Sequence, residues 1–161
     1  MVDLEDFDAV DDRPEEGPAP HAIRASILEV RAIYRHADAL YAPYSCPASG
    51  ECCQLSTTKR QPWLWRPEWE ALLARLAREK RPVPPGRSDG GCPFLDAAGK
   101  RCTVYADRPL GCRTFFCGRR SGPAREPLEE MVRLSQRLEA VSRELDPELT
   151  SPRPIFEWLG A

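Results

Sequence analysis

The sequence predicts a small, mainly α-helical domain (small α+β) with a short β-hairpin, irregular proline-rich loops and a cysteine-ligated metal centre. Three observations support this prediction. Apolar residues recur at helical spacing in three segments, 17 prolines are spread along the chain, and all seven cysteines lie in two blocks. With 161 residues, of which 42% are apolar and 30% charged, one domain with a modest core is expected. Metal ligation would then help to hold the loops.

The chain is expected to divide into an acidic disordered tail, residues 1–20, and a single cysteine-cluster domain, residues 21–161. Residues 1–16 contain eight acidic groups and one basic group, Arg13. Such a composition buries too little apolar surface to fold alone, so a solvated tail is the simplest interpretation. Residues 100–125 contain seven basic groups and one acidic group, Asp107, and the two oppositely charged segments are expected to attract each other at low salt.

A first helix is predicted from His21 to about Leu40, bracketed by Pro20 and Pro43. Its apolar residues step by three and four, which is typical of one buried stripe. This stripe comprises Ile23, Ile27, Val30, Tyr34, Ala37 and Tyr41. His36 lies off the stripe, which favours a surface histidine over a metal ligand.

A second helix is predicted to begin near Pro67, because proline suits the first helical position and acidic residues follow in the first turn. Its buried face is predicted to comprise Trp69, Leu72, Leu73 and Leu76. Together with Trp63 and Trp65, Trp69 makes a group of three tryptophans. Such a group is more often core than a base-stacking platform.

A third helix is predicted from Glu126-Pro127 to Leu145, where Asp146-Pro147 stops it. Its buried stripe is predicted to comprise Leu128, Met131, Val132, Leu138, Val141 and Leu145. The last segment, Pro152 to Leu159, is short and apolar, and we expect it to dock on the core.

Between the second and third helices, two short segments flank the turn residues Ala97–Gly99 and predict a small hairpin that brings Cys92 near Cys102. A second turn at Arg108–Gly111 would then deliver Cys112 and Cys117. Four sulfurs on two adjoining turns can converge without a large scaffold.

The cysteines are predicted to be metal ligands. No cationic apolar leader opens the chain and no run of about 18 apolar residues occurs, which predicts a cytoplasmic protein. Thiols stay reduced there, so disulfides, inert core thiols and a nucleophile are the less favoured alternatives. The candidate ligands are Cys46, Cys52, Cys53, Cys92, Cys102, Cys112 and Cys117.

The cysteine spacing argues against the commonest thiolate sites. No two cysteines are separated by two residues, as they are in zinc ribbons, RING domains and thioredoxin-like sites. Two cofactors remain: zinc in one or two thiolate-rich sites, or an iron-sulfur cluster with four cysteine ligands. Consecutive side chains tend to diverge, so Cys52 and Cys53 are expected to serve two metals or to bridge them.

The motifs Gly91-Cys-Pro-Phe-Leu95, Cys102-Thr-Val-Tyr-Ala-Asp-Arg-Pro109 and Cys112-Arg-Thr-Phe-Phe-Cys117 resemble those of the YkgJ-type cysteine-cluster family. The resemblance implies chelation of zinc or iron. It makes Cys92, Cys102, Cys112 and Cys117 the surest ligands, because they match the family motif without a gap. In the first block Ser49 replaces the family's second cysteine, which implies a cage of at most seven sulfurs.

The function predicted from these residues is metal binding. Relatives of the cysteine cluster occur in flagellin lysine methylases, so the alternatives are a cluster-dependent protein-modifying enzyme or its accessory subunit, and a structural adaptor with a fold-maintaining metal. No Gly-rich nucleotide-binding turn supports an enzyme. Arg108 or Arg113 is expected to donate hydrogen bonds to sulfur rather than form a nucleic-acid face, since the net charge is −2. A protein partner is left open, and no membrane partner is expected.

Overall fold

The computed structural model describes residues 17–45, 49–115, 122–123 and 125–160, and these are mainly helical. Cys46, Cys117 and residues 1–16 of the predicted tail lie outside the described residues, so the division into tail and domain stays a prediction. The α-helices and strands are α1 (Pro20–Leu40), α2 (Leu55–Thr58), β1 (Trp63–Leu64), α3 (Arg66–Arg78), α4 (Leu110–Arg113), α5 (Leu128–Leu145) and β2 (Arg153–Pro154). Within these ranges, three short 3-10 turns span Glu51–Cys53, Tyr105–Asp107 and Ile155–Trp158. No helix in the described ranges is both long and apolar enough to cross a membrane.

The three predicted helices are confirmed as α1, α3 and α5. Pro20 occupies the first turn of α1, where its missing N–H costs no hydrogen bond. Glu129 and Glu130 lie in the first turn of α5 and Arg143 in its last, which complements the helix dipole. His36 is exposed on α1, in agreement with the surface prediction.

The predicted buried stripe of α5 is partly wrong. Leu128 is 65% exposed and Val132 is 56% exposed, whereas Leu134, which was not predicted, is buried. Two residues turn a helix through about 200°, so Val132 lies on the side opposite Leu134. Leu134 is buried because it packs with residues of α1 and α3 in the core.

Helix α3 lies between two hydrophobic clusters. Ala71 packs into the helical cluster, which comprises Val30, Ile33, Tyr34, Ala37, Ala71, Leu110, Leu134 and Leu138. The opposite face of α3 packs into the loop cluster, which comprises Leu55, Leu64, Trp69, Leu72, Leu76, Cys92, Phe94, Leu95, Val104, Leu149, Ile155 and Trp158. The predicted face of α3 is confirmed except at Leu73, which is only partly buried. Both clusters border the cysteine-bearing segments.

The cysteine-bearing loop is held by packing as well. Phe94, Leu95 and Val104 are buried in the loop cluster, and each such side chain stabilises the fold by about 1.5–3 kcal/mol relative to exposure. Side-chain packing therefore helps to hold this loop. A bound metal would add to this packing rather than replace it.

The C-terminal segment docks on the core, as predicted. Ile155 and Trp158 are buried, and the Trp158 ring stacks on Trp69 with centroids 5.9 Å apart. Trp63 is exposed, so the three tryptophans do not form one core group. The strand pairing of β1 with β2, antiparallel with Trp63 opposite Pro154, was not predicted.

Candidate metal centre

The predicted hairpin between Cys92 and Tyr105 is reduced to one antiparallel bridge, Leu95 with Cys102. The Asp96 N–H donates to the Arg101 carbonyl at 2.8 Å, which closes the turn next to this bridge. The Cys92 N–H donates to the Cys53 carbonyl at 2.8 Å. The backbone therefore joins the first cysteine block directly to the second.

Gly50 allows this contact between the two blocks. Its φ is +71°, and a Cβ at this position would lie 2.7 Å from the carbonyl oxygen of Lys100. Both the left-handed backbone and the close approach require glycine. The following 3-10 turn, Glu51–Cys53, thus begins against the chain that carries Cys102.

Cys112 lies on α4 and approaches the other cysteines from there. A buried carboxylate of α3, that of Glu68, holds α4 in place. Glu68 Oε1 accepts hydrogen bonds from the Leu110 N–H at 2.7 Å and from the Tyr34 hydroxyl at 3.0 Å. Glu68 Oε2 accepts one from the Trp65 N–H at 3.0 Å. Glu68 therefore links α1, α3 and α4, and nothing in the sequence indicated this role beyond an acidic residue in a first helical turn.

The sulfurs of Cys52 and Cys53 lie 3.9 Å apart. The expectation that these side chains diverge is wrong, because it holds for an extended strand and the two residues lie in a 3-10 turn. Four thiolates around zinc at about 2.3 Å would be about 3.8 Å apart along each edge of the tetrahedron. The pair fits ligation of one ion.

The pKa values of Cys52, Cys53, Cys102 and Cys112 are all raised, and neighbouring cysteines are among the causes. The hydrogen bond with Cys53, and then burial, raises the pKa of Cys52. The hydrogen bond with Cys52 lowers the pKa of Cys53, but a hydrogen bond with Cys92 and burial outweigh it and bring the pKa to about 12. Burial is the main cause that raises the pKa of Cys102 and Cys112. Binding a soft cation would release these protons.

The described cysteines do not by themselves form a complete metal site. Among residues 17–45, 49–115, 122–123 and 125–160, no group of three or more His, Cys, Asp or Glu side chains is placed to hold a metal ion. The five cysteines described there are free thiols. Because two of the seven cysteines lie outside these ranges, the ligand set stays a prediction. The all-sulfur donor set fits zinc or iron rather than magnesium or calcium, which prefer oxygen.

In the described part of the chain, Arg60 lies close to a sulfur, which the sequence did not indicate. Its Nη2 lies 3.7 Å from Cys112 Sγ. Arg113 instead pairs with Asp38 at 2.7 Å and lies over the Tyr34 ring, so the expectation that it donates to sulfur is wrong. Arg108 lies over the Tyr105 ring, and no hydrogen bond joins it to a sulfur in the part of the chain described.

Comparison with known families gives a match over residues 45–132, more than half of the chain, to the family CxxCxxCC, "Putative zinc- or iron-chelating domain". The chain belongs to this family. The predicted resemblance is thus confirmed, and the matched range contains all seven cysteines of this CxxCxxCC protein. No curated protein and no solved structure matches the chain.

In this CxxCxxCC protein Ser49, half-buried beside Gly50, stands where the family motif has a cysteine. A serine hydroxyl is a poor ligand at neutral pH, whereas a thiolate binds zinc or iron strongly. We expect Ser49→Cys to raise the metal content or the affinity, as measured by elemental analysis and by competition with a chelator. Ser151→Cys, which adds a thiol at an exposed loop position, is the control. Unchanged metal content, with the thiol at position 49 freely alkylated in the metal-loaded protein, would show that this position faces away from the centre.

Proposed function

We propose that this CxxCxxCC protein chelates zinc or iron through its clustered cysteines. The observation that carries the proposal is the meeting of separate cysteine segments in one place. The Cys52 and Cys53 sulfurs are 3.9 Å apart, and the Cys53 carbonyl accepts a hydrogen bond from the N–H of Cys92. The charge of Cys112 is one of the causes that raise the pKa of Cys102. The proposed ligand set is Cys46, Cys52, Cys53, Cys92, Cys102, Cys112 and Cys117.

Family membership supports zinc or iron, and the donor chemistry supports both metals. We extend the proposal to two forms of the centre, zinc in one or two thiolate sites or one iron-sulfur cluster. Both need reduced thiols, which we propose the protein keeps in the cytoplasm.

A second candidate function is that the metal mainly maintains the fold. Cys92 is itself a member of the loop cluster, and Cys53 and Cys102 pack against it. A metal bound by these three residues would tie the loop directly to the hydrophobic core. Structural zinc sites have four protein ligands and no open position, whereas catalytic sites keep one position for water or substrate.

Anaerobic purification followed by elemental analysis and visible spectroscopy tests the proposal. We expect at least one zinc or iron per chain. A brown protein with broad visible absorption and matching acid-labile sulfide would identify an iron-sulfur cluster, and a colourless one with stoichiometric zinc would identify zinc. The paired variant Cys92→Ser with Cys112→Ser should lose this metal. A folded protein that contains neither metal, with all seven thiols titrating freely, would contradict the proposal.

A further inference from the structure

Arg60 is placed beside Cys112 by the local backbone. Lys59 ends α2 in the left-handed conformation, with φ at +56°, and this turns the chain away from the α2 axis. Arg60 Nη2 then donates to the Gly111 carbonyl at 2.8 Å and lies 3.7 Å from Cys112 Sγ. Its guanidinium carbon is 3.9 Å from the centre of the Phe115 ring. Three contacts therefore hold one guanidinium against the cysteine of α4.

Among the residues that the structure describes, no carboxylate neutralises the charge of Arg60. Within the described part of the chain, no Asp or Glu forms an ion pair with it, whereas Arg113 pairs with Asp38 and Arg75 with Asp107. A four-thiolate zinc site has a formal charge of −2, so a fixed cation that donates to one sulfur would offset part of that charge. The guanidinium also stacks on Phe115, which holds its plane in place.

We infer that Arg60 is a positioning residue of the metal centre, which orients Cys112 and stabilises its metal-bound thiolate by donating a hydrogen bond to sulfur. The inference rests on the proposed function, since it requires Cys112 to be a ligand. Hydrogen bonds to ligand atoms from outside the ligand set typically change metal affinity by about 10–100-fold. A donor on sulfur also withdraws electron density from the metal–sulfur bond.

The test compares metal release from three variants of the metal-loaded protein to a chromogenic chelator. Arg60→Gln removes the guanidinium and its charge, whereas Arg60→Lys keeps the charge. The control, Arg101→Gln, removes an exposed arginine next to Cys102. We expect release to be about tenfold faster in Arg60→Gln, intermediate in Arg60→Lys and unchanged in Arg101→Gln. Equal rates in Arg60→Gln and wild type, or equal acceleration in Arg60→Gln and Arg101→Gln, would overturn the inference.

Cobalt(II) substitution supplies a second readout that a purely structural role would not change. Loss of a hydrogen bond makes a thiolate more electron-rich, so the sulfur-to-cobalt charge-transfer band should move to longer wavelength in Arg60→Gln and stay in place in Arg101→Gln. Faster metal release without a band shift would show that Arg60 acts only through packing, and this result would overturn the inference. Absence of metal from the wild-type protein is a different result, because it contradicts the proposed function itself before any Arg60 variant is compared.

Discussion

Removing the metal should loosen the cysteine-bearing segments 50–54 and 92–112 while α1, α3 and α5 remain helical. These segments have little regular hydrogen-bonded structure, since their backbone order consists mainly of one bridge, Leu95 with Cys102, two short 3-10 turns and the start of α4. The three helices pack on one another through the helical cluster, which contains no cysteine. Loss of the ligands should therefore act locally first.

The expected effect is large, because metal binding contributes about 10–16 kcal/mol in zinc-finger peptides, where it is linked to folding. The buried residues Phe94, Leu95 and Val104 stabilise these segments even without the metal. Metal removal should therefore cost less than it does in a zinc-finger peptide. We expect complete chelation or Cys112→Ser to lower the Tm by at least about 10 °C, since 1 kcal/mol corresponds to about 2–4 °C in a domain of this size.

Native-state hydrogen exchange on the metal-loaded and metal-free proteins locates the effect. Amides of segments 50–54 and 92–112 should lose protection, whereas those in the middle of α1 and α5 should keep it. Ser151→Cys, with all natural cysteines intact, is the control for handling of an additional thiol. Identical exchange and identical melting after complete metal removal would show that the metal does not stabilise these segments.

Glu68→Ala should be the most destabilising single substitution outside the cysteines. Glu68 is 1% exposed and accepts hydrogen bonds from Tyr34, Trp65 and Leu110. Burial raises its pKa, against the opposing effect of these three hydrogen bonds. Removing the carboxylate leaves two buried donors and the partly buried Trp65 N–H without an acceptor. Each buried donor costs about 1–3 kcal/mol, and a loss of about 3–5 kcal/mol in unfolding free energy is expected.

The same substitution should weaken metal retention, because the Leu110 N–H that it releases lies at the start of α4, two residues before Cys112. Urea unfolding and chelator competition measure the two effects. Glu68→Gln should be milder, since an amide oxygen replaces one acceptor while its NH2 group faces the Trp65 N–H. Glu144→Ala, at an exposed position of α5, should change stability by less than about 0.5 kcal/mol. A Glu68→Ala protein as stable as Glu144→Ala would refute the structural role of this carboxylate.

The sequence was sufficient to predict the three long helices, because each depends on local periodicity and end signals. Pro20 and Leu40 bound α1, and Leu145 ends α5, close to the predicted positions. The side of α5 that is buried was less predictable: Leu128 and Val132 are as apolar as Leu134, and only packing against α1 and α3 selects among them. Periodicity locates a helix more reliably than it orients one.

The sequence by itself also predicted the chemistry proposed for the centre. Seven cysteines in two blocks, without a CxxC pair, predict thiolate ligation of a soft metal, and membership of the CxxCxxCC family agrees with this. Only the tertiary structure decided how those thiols meet. The approach of Gly50 to Lys100 and the placement of Glu68 and Arg60 at α4 depend on contacts between residues distant in the chain. Such contacts leave no local pattern, since the free energy that selects them comes from packing and hydrogen bonding in the folded state.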